Sequence, residues 1–186
     1  MDDILGQNGQ ICRENNSFYS QIELTLKSQN WHGMTYKTKS IYDSENYLEI
    51  MNRIDHLKVT NQRLWGTMTV SQMLAHCNQP IEMALRQEKV TRAWLGYFLG
   101  KWAKKGIYNY KPYKAGLPTA KEYIIEKEVD FENCKAQLKA NLETFFHAGE
   151  NGAPIHPHAF YGHLTPHEWG LLQYKHLNHH LLQFGG

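Results

Sequence analysis

The sequence predicts an all-α protein, a four-helix bundle with a long connection between its second and third long helices. Three observations predict it. Four segments join a helix-start signal to apolar residues at helical spacing. No segment shows convincing strand alternation. The chain has 186 residues, 41% of them hydrophobic and 12% aromatic, enough for one domain with a real core. Four long helices within about 145 residues bury their stripes most simply against one another.

Residues 1–40 stand apart. Asn, Gln and Ser recur there, from Gln7 and Asn8 to Gln29 and Asn30, and apolar residues are sparse. Only Ile22, Leu24 and Leu26 alternate, enough for a short extended piece. This stretch reads as a poorly ordered extension, and residues 41–186 as the bundle. Asp43 begins the first helix, which runs to about Leu57, with Tyr42 and Tyr47 at the staple positions and Leu48, Met51, Ile54 and Leu57 as its stripe. Thr69-Val-Ser-Gln72 is a capping box for the second, about Val70 to Arg86. Pro80 falls inside it, which leaves two readings: a kink that re-aims nearby side chains, or an end near Asn78 and a restart. Asp130 begins a helix over about Phe131–His147 with Cys134, Leu138, Leu142 and Phe145 on one face. Thr165-Pro-His-Glu168 is the clearest signal: Thr caps, Pro occupies the first helical position, and Glu closes the box. That last helix runs to about Phe184, where Gly185-Gly186 stop it.

The connection over residues 88–129 is long enough to cross over, and it is expected to hold a short extra helix, Arg92–Lys105. Between Lys89 and Lys127 lie nine basic residues and two acidic ones, interleaved with Trp94, Tyr97, Phe98, Trp102, Tyr108, Tyr110 and Tyr113. The plain reading is a packed helix whose lysine stems cover apolar neighbours. The alternative reading is a non-catalytic helical binding protein that contacts RNA or a membrane surface through residues 89–127.

Charge and cysteines exclude other classes. A formal charge of +2 gives no global field for nucleic-acid binding, so no nucleic-acid partner is expected. No apolar run approaches the ~18 residues of a membrane span, and no secretory signal follows Met1-Asp2-Asp3. Cys12, Cys77 and Cys134 fit neither a disulfide framework nor a paired-cysteine metal site, which suits a reducing cytoplasm.

Eleven histidines are unusual, and seven of them fall between His156 and His180. At about 100° per residue, with His176 at zero, His180 lies at about 40°, Trp169 at about 20° and Gln173 at about 60°, beside the apolar Leu177 and Leu181. His176 and His180 thus share a face, the i, i+4 arrangement that puts two imidazoles on one metal. His179, at about −60°, forms an i, i+3 pair with His176 and is the other candidate. His180 is preferred because it lies closer to the apolar side. A third ligand must come from another helix. His32 lies in the extension and His56 near the water-facing end of the first helix, whereas His76 borders an apolar face in the middle of the second. Three neutral imidazoles would leave metal positions open, the catalytic rather than the structural form. Imidazole suits zinc, nickel and similar ions alike. Gln72, Gln173, Trp169 and His158 are candidates for contacts around the ligands or with a substrate. Cys77 reads as a buried inert thiol, and Glu82 points away from His76, so no residue offers itself as a general base.

Leu64-Trp-Gly-Thr-Met-Thr-Val-Ser-Gln-Met-Leu-Ala-His76, His156-Pro-His-Ala-Phe-Tyr-Gly-His-Leu-Thr-Pro-His-Glu-Trp-Gly170 and Tyr174-Lys-His-Leu-Asn-His-His-Leu-Leu-Gln-Phe-Gly185 resemble a bacterial family of unknown function. That family belongs to the DinB-like, or YfiT-like, superfamily of metalloenzymes. The resemblance covers about Tyr42 to Gly185; it is specific in the C-terminal block and loose over residues 88–128. It implies a bundle of DinB type with a divalent metal on one His of the second helix and an HxxxH of the last, which map onto His76, His176 and His180. Pro80 and the N-terminal extension depart from the pattern. Relatives include thiol S-transferases and isomerases that use low-molecular-weight thiols, and a metal hydrolase; dimers are common among them. The resemblance therefore implies a small-molecule substrate, a thiol among the candidates, and a homodimer.

Overall fold

A computed structural model describes residues 38–86, 94–109, 111–117, 123–154 and 156–186. Residues 1–37 of the expected extension, and Arg92 at the start of the expected short helix, lie outside the described residues. The described residues form five α-helices: α1 (Ser44–His56), α2 (Val70–Arg86), α3 (Trp94–Lys104), α4 (Phe131–Ala148) and α5 (Pro166–Gln183). A 3-10 turn, Glu150–Gly152, follows α4. No strand occurs among the described residues; His158 and Gly162 form a lone bridge.

Local chemistry sets most of the helix ends. Thr69 Oγ1 accepts from Gln72 N–H at 3.2 Å, and Gln72 Oε1 accepts from Thr69 N–H at 2.9 Å, closing the box at α2. Asp130 caps α4 by accepting from Asn133 N–H at 2.7 Å. Thr165 and Glu168 close the box at α5, with Pro166 as its first residue. At α1 the expected cap takes a different form. Asp43 occupies the N-cap, but its carboxylate accepts from the Asn46 side chain at 3.0 Å and caps no backbone N–H. α2 runs unbroken through Pro80, which excludes the reading that ends it near Asn78.

α2 lies along α4, α5 packs on both α1 and α2, and α1 also meets α4. Each of α1 and α2 is thus flanked by α4 and α5. Met73, Leu74 and Ile81 of α2, Leu138, Leu142 and Phe145 of α4, and Leu171, Leu177 and Leu181 of α5 fill the shared core. The stripe expected on α1 is corrected in part. Ile50, Ile54 and Leu57 are buried, whereas Leu48 is 63% exposed. Asn46 takes the inner position instead, because its amide donates to the Ser40 carbonyl at 3.0 Å and so enters the interior already partnered.

The connection corrects one further expectation. Among its described side chains, α3 does not hide the aromatic ones: Phe98 is 77% and Trp102 75% exposed. Its inner face is made of glycine. A Cβ on Gly96 or Gly100 would stand 2.5 or 2.3 Å from the Phe160 carbonyl oxygen, so only glycine permits this approach of two backbones. Conversely, the charged residues of α5 do not face water. Glu168 is buried, meets Lys104 at 2.8 Å, and accepts from Tyr108 Oη at 2.5 Å. Lys175 Nζ donates to the carbonyls of Gly106 and Asn109 at 2.5 and 2.6 Å. The end of α3 and the turn after it are hooked onto α5 by these two side chains.

Candidate metal centre

The histidines converge from two helices. His76 projects from the middle of α2, His176 and His180 from consecutive turns of α5, and their ligand atoms all lie within 4.8 Å of one another. The rings of His76, His176 and His180 meet edge-on in each pair, with centroids 4.7–5.0 Å apart.

Hydrogen bonds assign the tautomers. A carbonyl can only accept, so the 3.0 Å contact between His76 Nδ1 and the Tyr123 carbonyl places the proton on Nδ1 and leaves Nε2 as a lone pair. Gln183 does the same for His180. Its Nε2 is committed to the Trp65 carbonyl at 2.7 Å, so its oxygen faces His180 Nδ1 at 3.0 Å, and that nitrogen must donate. Such outer partners orient metal-binding imidazoles and raise their basicity.

The donor set fits a divalent ion. His76 Nε2 and His176 Nε2 lie 3.1 Å apart. Two bare nitrogens at that distance repel unless a proton or a cation lies between them. Tetrahedral zinc with bonds of about 2.0–2.1 Å places neighbouring donors about 3.3–3.4 Å apart, so the observed spacing is close to one edge of such a site. His176 Nδ1 is buried with no hydrogen-bond partner among the described residues. Burial lowers the pKa of all three imidazoles. The Tyr123 carbonyl opposes the effect at His76; His180 and His76 add to it at His176; His180 is brought down to about 3. All three are therefore neutral at pH 7, the form that binds metal.

The remaining candidates separate. Trp169 and Gln173 precede His176 on α5 and are almost fully buried, and the indole N–H and both amide atoms lack partners among the described residues. His158 lies against Trp169, with ring centroids 5.3 Å apart, but its Nδ1 accepts from Phe160 and Tyr161 N–H and so closes its own turn. Burial brings its pKa down to about 4. Gln72 is engaged at the start of α2 as described. His179 stands outside the three-histidine group, its ring beside Trp65 and Tyr113. Cys77 is buried, with its thiol pKa pushed up, as an inert thiol should be.

A cleft of about 310 Å³ opens beside His180. Trp65, Met68, Leu117 and Ile124 line it together with His179, His180 and Gln183. Among the described residues lining it there is no carboxylate. Sequence reasoning missed Gln183 and Tyr123. Gln183 lies three residues after His180, and that spacing is a readable signal. Tyr123 contributes a backbone carbonyl, which has no residue signature.

No curated protein and no solved structure matches this chain. Residues 37–185 match a family described as a protein of unknown function, DUF1569, and the chain belongs to that family.

Proposed function

We propose that this DUF1569 member is a divalent-metal enzyme with a four-helix bundle of DinB type, acting on a small molecule in the cytoplasm. His76, His176 and His180 would hold the ion. A divalent ion there supplies Lewis acidity that lowers the pKa of a thiol or a water molecule. The convergence of three neutral imidazoles, two with tautomers set by outer acceptors, carries this reading. His76 and His180 each keep one nitrogen for the ion because Tyr123 and Gln183 hold the proton on the other. Trp65, Met68, Leu117 and Ile124 make one side of the cleft apolar and favour an uncharged, partly apolar substrate portion. With no carboxylate among the described residues lining the cleft to take a proton, thiol transfer is preferred over hydrolysis. A homodimer belongs to the same reading, through the DinB resemblance.

The test is a titration of chelator-stripped, tag-free protein with Co²⁺, followed by 2-mercaptoethanol. One equivalent of Co²⁺ is expected to bind, and the thiol to add a sulfur-to-cobalt absorption band. Binding without the band would move the reading to water activation. No binding at micromolar metal would remove it.

A further inference from the structure

We infer that the outward face of α3 is a docking surface for an anionic phospholipid bilayer, a role independent of the metal centre. With Phe98 at zero on the helical wheel, Trp102 lies at about 40°, Lys101 at about −60°, Gly96 at about 160° and Gly100 at about −160°. The structure agrees with the wheel. Gly96 and Gly100 press on the backbone of Phe160, and Phe98 and Trp102 stand out on the opposite side. A soluble helix normally turns such residues inward, and a contiguous exposed apolar patch marks an interaction site.

The chemistry of the face favours lipid. Trp and Phe with flanking lysines are the residues that settle at a bilayer interface, rings at headgroup depth and ammonium groups among phosphates. Lys101 and Lys105 are exposed on or just after α3, as are Lys111 and Lys114 beyond it. No Asp or Glu occurs from residue 94 to 121. A second copy of the same face would therefore set lysines against lysines with no acid to pair them. A nucleic-acid strand would need a groove along which its backbone could run, and this face is a convex ridge. The helix is only 11 residues long and spans nothing, but it is held in its helical form before contact, so docking costs little ordering entropy.

The test is co-sedimentation of the full chain with vesicles of phosphatidylcholine, with and without about one-third phosphatidylglycerol. The chain is expected to bind the anionic vesicles at least tenfold more tightly. That preference should collapse in about 1 M salt, where the screening length is about 3 Å. Lys101→Glu/Lys105→Glu should weaken binding by roughly fivefold or more per residue, since each lysine near such a surface contributes about 1 kcal/mol. Phe98→Ser/Trp102→Ser should abolish it with no loss of melting temperature, because both side chains already face water. Brominated lipid should quench part of the tryptophan emission in the wild type and less in Trp102→Phe. Three results would overturn the inference: no binding to anionic vesicles at low salt; equal binding by the Phe98→Ser/Trp102→Ser chain; or a concentration-dependent dimer, abolished by those substitutions, in a chain that ignores vesicles.

Discussion

α5 and α3 invert the usual rule in opposite directions. α5 buries thirteen of its 18 residues, among them Glu168, Gln173, Lys175, His179, His180 and Gln183. α3 exposes Phe98 and Trp102. Polarity alone therefore does not decide burial here. The Lys175 side chain goes inside because its partners, the carbonyls of Gly106 and Asn109, are already in place. An aromatic one stays outside when a closer contact takes the inner face, as the glycine seam against Phe160 does on α3. Glu168, Lys175, His180 and Gln183 on α5 are thus tied to particular neighbours, while Phe98 and Trp102 on α3 stand in solvent. Substitutions on the two helices should differ accordingly.

The largest expected effect is at the ligands. His76→Ala, His176→Ala and His180→Ala should each remove most divalent-metal binding, measured by titration at pH 7.5. Each should also abolish the chelator-induced drop in melting temperature. His179→Ala should cost less than about tenfold, below the scale of an outer contact. If it matched His180→Ala, the second ligand on α5 would be misassigned.

Next comes Gln183→Leu, which keeps volume but removes the acceptor for His180 Nδ1 and the donor to Trp65. Metal affinity should fall about 10–100-fold. An unchanged affinity would mean that α5 holds His180 by packing alone.

A pH titration of metal-free protein sharpens the contrast. Burial depresses the pKa of His76, His158, His176, His179 and His180. Above the unfolded value of about 6.5 these imidazoles are neutral in both states. Below it the unfolded chain takes up protons that the folded chain refuses, so stability falls as pH falls. The loss continues toward the folded values of about 4 for His158 and about 3 for His180. His158 and His180 each contribute about 1.4 kcal/mol per pH unit over that window. Denaturant midpoints that stay flat from pH 7 to 5 would contradict the buried, neutral cluster.

Two stability changes complete the comparison. Lys175→Met on α5 removes the ammonium donor from the Gly106 and Asn109 carbonyls, leaving Gly106 only the Asn109 N–H, and should cost about 1–3 kcal/mol in urea unfolding. Phe98→Ser on α3 should stay within about 0.5 kcal/mol of the parent. Equal costs would erase the distinction between the helices.

How much of this was legible depends on whether a feature is local. Thr69–Gln72, Asp130 and Thr165–Glu168 mark helix starts by contacts three residues apart, and those starts stand where the sequence predicts them. The convergence of His76, His176 and His180 was legible in part: helical phase puts their faces toward the core but leaves His179 open beside His180. The inner face of α1 was not, because Asn46 is carried inward by a hydrogen bond to Ser40, outside the helix. Nor were the role of Lys175 and the contacts of Glu168 beyond its capping box, whose partners lie 60 or more residues away in a segment with no strong pattern. Tyr123 acts through its backbone, where residue identity carries no information.

The central claim, that three imidazoles from α2 and α5 share one divalent ion, is tested most directly by zinc-edge X-ray absorption of tag-free protein loaded with one equivalent of zinc. The account predicts three imidazole nitrogens at about 2.0–2.1 Å, reduced in number in His176→Ala. A sulfur shell, or a spectrum unchanged by His176→Ala, would contradict it.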